Sequence, residues 1–245
     1  GESIEADVVV FNGDVSAAQG LLRGSRGSPS PTPASRRSLS AVTWATVARA
    51  EGFPLVHHNV FFSADYEAEF RDLMEHARAP EAPTIYLCAE DRGDRPAELA
   101  AERMLLIMNA PPTGDEPSRW TDGERRRCER AMKSTLARCG LTLHSGSELM
   151  STPVELHAAF PSTGGALYGP IARGPTSTLS RQGARTRIPG LYMAGGSIHP
   201  GPGVPMAALS GQRAAEAVIA DWATTSRAST TRSSRAATSG TTSTR

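Results

Sequence analysis

The sequence predicts an α/β protein whose elements fall into two groups. Three observations carry that expectation. An apolar strand runs into a capped helix at the start; β-branched and aromatic runs alternate with amphipathic helices through the middle; and an apolar strand, a glycine and proline loop and an alanine-rich helix follow near the end. With 245 residues, 39% of them apolar, the chain holds material for one substantial core but hardly for two large domains.

In order, residues 6–11 (Ala-Asp-Val-Val-Val-Phe) read as a buried strand, and Asn12-Gly13-Asp14 as a turn that places Asp14 as N-cap of a helix over 15–22. Residues 23–37 are rich in Pro, Ser and Gly and nearly free of apolar side chains, so they are expected to be a flexible surface loop. Runs at 39–47 and 55–62, separated by Glu51-Gly52-Phe53-Pro54, read as two strands joined by a turn. Tyr66, Phe70, Leu73 and Met74 recur at helical spacing within 65–77, and further strands are expected at 84–89 and 103–109, giving an antiparallel or mixed sheet backed by helices. Thr121-Asp-Gly-Glu124 matches a capping box for a helix that keeps Cys128, Met132 and Leu136 on one stripe before Gly140 stops it. A short helix begins at Thr152-Pro153. Residues 188–194 read as a strand, 195–205 as a loop and 206–222 as a helix. The remainder, 223–245, carries eight Thr, six Ser and four Arg, and is expected to be disordered.

Charge and cysteine content exclude several classes. Twenty-six basic against 25 acidic residues give a net charge of +1, with no basic face of the kind nucleic acid requires, so no nucleic-acid partner is expected. Arg125-Arg126-Arg127 lies beside Glu124 and Glu129 and reads as a solvated helix face. Cys88, Cys128 and Cys139 are an odd number with no C-x-x-C pair, which points away from a disulfide framework and toward a reducing, cytoplasmic setting. His57-His58 would sit on opposite sides of a strand, so neither is assigned as a ligand, and no metal site is expected. No apolar run approaches the roughly 20 residues that span a bilayer. The chain begins at Gly1 and enters a strand almost at once, as if cut from a longer one.

The segment Leu191-Tyr-Met-Ala-Gly-Gly-Ser-Ile-His-Pro-Gly-Pro-Gly-Val-Pro-Met206 carries the chemistry. Gly195 and Gly196 remove the Cβ atoms that would hold a flat ligand off the backbone, and Gly201 and Gly203 permit dihedrals closed to other residues. Pro205 suits the first helical turn, where the amides and the dipole present roughly +0.5 charge to developing negative charge. On spacing alone, an ordinary glycine-rich βα turn is an equal reading.

This segment resembles the C-terminal flavin motif of the bacterial phytoene desaturase family of carotenoid desaturases. Phe11-Asn-Gly-Asp14, Ser38-Leu-Ser-Ala-Val-Thr-Trp44, His58-Asn-Val-Phe-Phe-Ser63, Asp91-Arg92, Phe160-Pro-Ser-Thr-Gly-Gly-Ala-Leu-Tyr-Gly169 and Gly183-Ala-Arg-Thr-Arg187 are similar to the branch acting on 1-hydroxylated or 1-methoxylated acyclic carotenoids, the hydroxyneurosporene and methoxyneurosporene desaturases. The resemblance implies an FAD-dependent oxidoreductase of the amine-oxidase and phytoene-desaturase type, acting on a C–C bond of a carotenoid, the hydride going to flavin N5. Gly195, Gly196, Ser197, His199, Pro200, Gly203, Val204, Pro205 and Met206 would line the flavin, and no catalytic acid or base is implied.

The family's Rossmann fingerprint, G-x-G-x-x-G, has no counterpart here, so the chain resembles only a C-terminal half. Arg173 and Pro175 also depart from the family pattern. Residues 1–22 would be the tail end of the FAD-binding domain, 23–38 a loop, 39–187 a substrate-side mixed sheet with helices, and 188–222 the returning strand and helix of the FAD domain. Trp44, Phe61, Phe62, Tyr86 and residues 105–108 line a polyene tunnel on one reading and are sheet core on the other, which burial statistics favour. A carotenoid substrate implies peripheral attachment to a membrane surface. A phytoene-type desaturase, a carotenoid isomerase or saturase, and an inactive truncated product stay open as alternatives.

Overall fold

The computed structural model describes residues 2–22, 26–93, 100–171 and 181–238, with backbone alone from 225 onward. The chain folds as two compact units, residues 31–171 and residues 1–30 with 172–245. The division falls inside the two stretches expected as 23–38 and 39–187 rather than at their ends.

Residues 31–171 build a five-stranded sheet from β2 (Ser40–Gly52), β3 (His58–Phe61), β4 (Ile85–Ala89), β5 (Glu102–Ala110) and β6 (Leu141–Ser151). Its order is β3-β4-β5-β2-β6, antiparallel at every pairing, which decides between the antiparallel and mixed expectations. Alternation along β2 and β5 sends Val42, Trp44, Leu106 and Met108 to one face, where they are at most 1% exposed. There they share a core with Cys128, Met132 and Leu136, the apolar stripe of helix α3 (Asp122–Arg138).

Two shorter helices, α2 (Tyr66–Met74) and α4 (Pro153–Ala159), are capped by Asp65 and Thr152. Glu69 of α2 is buried because its Oε2 accepts the Thr84 N–H at 3.1 Å and the Thr84 hydroxyl at 2.7 Å. A second buried acid, Glu102, faces Arg92 across two bonds of 2.6 and 2.5 Å, and Arg92 also donates to the Leu55 carbonyl at 2.8 Å. That hydrogen-bonded pairing lifts the Arg92 guanidinium above its ordinary range despite its burial.

Three expectations are corrected in this unit. The strands at 39–47 and 55–62 are not neighbours. β2 runs on to Gly52 paired with β6, Phe53 donates its N–H to the Gly140 carbonyl at 3.0 Å, and the chain then crosses to the far edge, anchored by fully buried Leu55. Gly52 is needed there: its φ is +95°, and a Cβ would lie 2.1 Å from the Gly140 oxygen. Thr121 caps α3 by accepting from Glu124 N at 3.3 Å, but the box is not reciprocal, because the Glu124 carboxylate is taken by Arg127 at 2.6 and 2.9 Å. The reciprocal box belongs to α4, where Thr152 and Glu155 cap each other. Finally, the expected loop 23–38 is anchored at its end by Arg37, which bonds the Asp115 carboxylate at 2.8 Å and bridges to Pro170. Residues 23–25 of that loop lie outside the described residues.

The other unit contains β1 (Val9–Phe11), α1 (Val15–Leu21), β7 (Leu191–Met193) and α5 (Val204–Thr238). β1 and β7 pair in parallel, Val9 opposite Leu191 and Phe11 opposite Met193. Both are shorter than the runs 6–11 and 188–194, because with two strands only the mutually paired residues are held. Val15, Ala18, Met193 and Ile198 form the core. α5 runs through Thr238, past residue 223 where the tail was expected to begin. Residues 239–245 lie outside the described residues.

Candidate functional site

Two parallel strands that end together leave a crevice beyond their carboxyl ends, the position where open α/β sheets take ligands. In the unit of β1 and β7 that position is built by the segment 194–206. Ala194 N donates to the Phe11 carbonyl at 3.1 Å, extending the ladder by one bond. The chain then turns at Gly195, with Ile198 N donating back to the Gly195 carbonyl at 3.1 Å. Ile198 is fully buried and pins the loop to the core.

Gly195 has φ +129°, and a Cβ there would stand 3.1 Å from Asn12 Oδ1. Its N–H is held at 2.8 Å by Ser210 Oγ, a fully buried hydroxyl on the second turn of α5 that donates in turn to the Ala207 carbonyl at 2.6 Å. Ser197 is buried, and its hydroxyl accepts the Val15 N–H at 3.3 Å, which ties the loop to the start of α1. Asp14 caps the same helix end by accepting from Ser16 N at 2.8 Å. Both helix N-termini of this unit are thus coupled to one loop.

The remaining residues proposed from sequence fall on the rim. Gly196 has only Pro202 Cα near its Cβ direction, at 3.9 Å, and Gly203, at φ +106°, has nothing within 4 Å; both open onto free space. Val204, Pro205 and Met206 form the exposed first turn of α5, Val204 being 86% exposed. Pro205 supplies no N–H, and the first-turn amides that remain have no intrahelical acceptor. His199 donates its backbone N–H to the Gln182 carbonyl at 2.9 Å, and its peptide bond to Pro200 is cis.

Asn12, Arg181, Ile198 and Ser210 join this site without having been singled out from sequence. Arg181 is largely buried beneath Gly201, whose Cβ position lies 3.4 Å from its Nε. Burial pushes its guanidinium below the ordinary value, and the Asp14 carboxylate opposes that shift. Arg173 and Pro175 lie outside the described residues. The far end of α5 is fixed by Asp221, which accepts from the Tyr192 hydroxyl at 2.8 Å and from Arg185 Nε at 3.0 Å. The hydrogen bonds from Arg185 and Tyr192 hold the Asp221 carboxyl below its usual range.

Among the described residues of 31–171, nothing covers the sheet face opposite α3. Ala45, Val47, Leu105 and Leu149, with Arg103 and Glu90 at the side, line a depression of about 490 Å³. Trp44, Phe61, Leu106 and Met108 are core, as burial statistics favour, whereas Phe62 is exposed and Tyr86 half-buried. The expected separation of His57 from His58 is not found. β3 begins only at His58, so the alternation of strand side chains does not govern His57, and the two rings lie 4.3 Å apart beside Cys88.

A family model described as flavin containing amine oxidoreductase matches residues 1–219. The chain is 48% identical over 233 residues to a hydroxyneurosporene desaturase of Rubrivivax gelatinosus, covering 93% of this chain and 44% of that protein. It is 43% identical over 234 residues to the hydroxyneurosporene desaturase of Cereibacter sphaeroides, covering 93% of this chain and 46% of that protein. A 4,4'-diapolycopene oxygenase of Methylomonas is 29% identical over 226 residues. The chain spans under half the length of these curated relatives.

Proposed function

The chain belongs to the flavin-containing amine oxidoreductase family, and on that premise we propose that it forms the flavin-ring and substrate-side part of an FAD-dependent carotenoid desaturase. The observation that carries this reading is the 194–206 loop: a backbone with glycines opening onto free space, at the carboxyl ends of two parallel strands and in front of a helix N-terminus.

Those residues fit a flat, electron-accepting ring. Gly196 and Gly203 let it approach main chain, Gly195 makes the turn against Asn12, and Ser197, His199 and Pro200 continue the loop. Val204, Pro205 and Met206 present the first turn of α5, whose amides and dipole favour negative charge on a reduced ring. When bound, the flavin would supply the two-electron oxidation, taking up a hydride from a C–H of one carbon of the bond being desaturated while a proton from the neighbouring carbon passes to water. No side chain of this chain is assigned as acid or base. The open sheet face with Ala45, Val47, Leu105 and Leu149 offers an apolar surface that suits an acyclic polyene.

The proposed substrate is a hydroxylated acyclic carotenoid, following the name hydroxyneurosporene desaturase of the relatives at 43–48% identity, and we extend the proposal to carotenoids hydroxylated or methoxylated at carbon 1. Such a substrate dissolves only in lipid, and we extend the proposal to peripheral attachment on the cytoplasmic side of a membrane through apolar surface such as Phe62, 69% exposed. No helix among the described residues is long and apolar enough to cross a membrane.

Product analysis tests the reaction. The flavin-loaded protein is expected to convert a 1-hydroxylated acyclic carotenoid to a product two hydrogens lighter and to leave phytoene unchanged. Turnover of phytoene alone, or a product of unchanged mass, contradicts the proposal. Flotation with anionic vesicles tests attachment: protein that stays at the bottom of the gradient with lipid present refutes it.

A further inference from the structure

We infer that His57, His58 and Cys88 form a binding site for one zinc-class divalent cation on the outer edge of the five-stranded sheet. Cys88 of β4 stands directly opposite His58 of β3 in the ladder, and one ligand atom from each of the three side chains lies within 4.8 Å of the other two. Imidazole, imidazole and thiolate are the donor set that borderline and soft d-block ions prefer, with the fourth position of a tetrahedron left to water.

The spacing already suits a tetrahedral ion. Zinc–nitrogen and zinc–sulfur bonds of about 2.05 and 2.3 Å put two tetrahedral ligands about 3.6 Å apart. His57 Nε2 and Cys88 Sγ are 3.7 Å apart. His58 is exposed, so its ring is free to close the remaining distance without disturbing the core.

An outer contact orients one of the ligands. His57 Nδ1 lies 2.8 Å from the Arg92 carbonyl, which can only accept, so Nδ1 carries the proton and the Nε2 lone pair faces Cys88. An imidazole fixed by a backbone carbonyl in this way is the usual outer shell of a metal-bound histidine. His58 Nδ1 has the Tyr86 hydroxyl at 2.8 Å as a polar neighbour beside the site. Cys88 is buried to 9% exposure at the floor, and His58 is at the mouth, so the ion has an entry path. On binding, the cation replaces the Cys88 thiol proton, which leaves to solvent, and the two imidazoles bind as neutral ligands.

The test is a titration with Co²⁺, a spectroscopic stand-in for Zn²⁺, in a Cys139→Ser background that removes the exposed thiol. The expected result is one ion per chain, with a near-ultraviolet thiolate-to-cobalt band and the visible bands of a tetrahedral site, both displaced by Zn²⁺. Cys88→Ser is expected to abolish the thiolate band, and His57→Ala and His58→Ala each to weaken binding at least tenfold. His144→Ala, a histidine paired with Glu51 on another strand, is expected to change nothing. Circular dichroism on each variant establishes that it is folded, and His58→Ala, at an exposed position, keeps the test decisive if Cys88→Ser does not fold. No saturable band in the Cys139→Ser protein, a band that survives Cys88→Ser, or undiminished binding in folded His58→Ala overturns the site.

Discussion

Ser210→Ala isolates the hydroxyl that holds the turn of the flavin loop. Ser210 Oγ is the acceptor for the Gly195 N–H at 2.8 Å and is itself fully buried, so no solvent stands ready to replace it. Removing one partner of a buried hydrogen bond costs about 1–3 kcal/mol, and because Gly195 is only half-buried the lower part of that range, about 1–2 kcal/mol, applies. The bond to the Ala207 carbonyl is lost as well, but that oxygen lies within the helix and needs no second donor. If the ring binds only the ordered loop, the same energy appears as weaker flavin affinity, roughly 5–30-fold at 1.4 kcal/mol per factor of ten. The assay is titration of flavin-stripped protein with FAD, followed by quenching of isoalloxazine fluorescence. Ser210→Ala with an affinity within twofold of the parent would refute the reasoning, as would a loss of the same size in Ser145→Ala, whose hydroxyl bonds to exposed Glu148.

Other groups make equally specific predictions. Glu102→Gln leaves the Arg92 guanidinium, 6% exposed, without its charge partner; breaking such a pair costs about 3–5 kcal/mol, and thermal unfolding is expected roughly 10–15 °C lower by calorimetry. Burial, reinforced by Glu124, pushes the Cys128 thiol up to about 11, so a disulfide reagent at pH 8 is expected to modify exposed Cys139 within the mixing time and Cys128 only after denaturation, as read by mass spectrometry. Burial raises the Glu155 carboxyl, but hydrogen bonds from Thr152 and Arg125 outweigh it and hold the group down at about 2. A depressed carboxylate contributes stability above its unfolded value near 4.5 and loses it as pH falls toward 2; Glu155→Gln is therefore expected to be less stable than the parent at pH 7 and equal to it near pH 2 in acid-unfolding curves.

Elements whose reasons are local were legible in the sequence. Asp14, Thr121 and Thr152 each cap the helix they were expected to start, because a cap is a contact within three residues. The Cys128, Met132 and Leu136 stripe met the sheet for the same reason. Elements whose reasons are tertiary were not legible. β6 shows apolar alternation only at Leu141 and Leu143; beyond them Ser145, Gly146 and Ser147 face solvent on an edge strand and a bulge opposite Val47 and Ala48 breaks the register, so the period-two signal vanishes. The far placement of β3 hangs on Leu55 and on pairing with β4, neither of which 51–54 reveals. In the site, the glycines and Pro205 announced a close backbone approach, but Ser210 carried no pattern of its own, and Asn12, read only as part of a turn, reaches Gly195 from 183 residues away in sequence. The His57 and His58 pair shows the limit of the alternation rule: it holds inside a strand and fails at its first residue.

Hydrogen–deuterium exchange on the flavin-loaded and flavin-stripped protein tests the central claim most directly. If segment 194–206 wraps the ring, peptides covering it are expected to slow at least tenfold on loading, while peptides from β6 at 141–151 keep their rates. Unchanged exchange at 194–206 together with protection elsewhere would contradict the account.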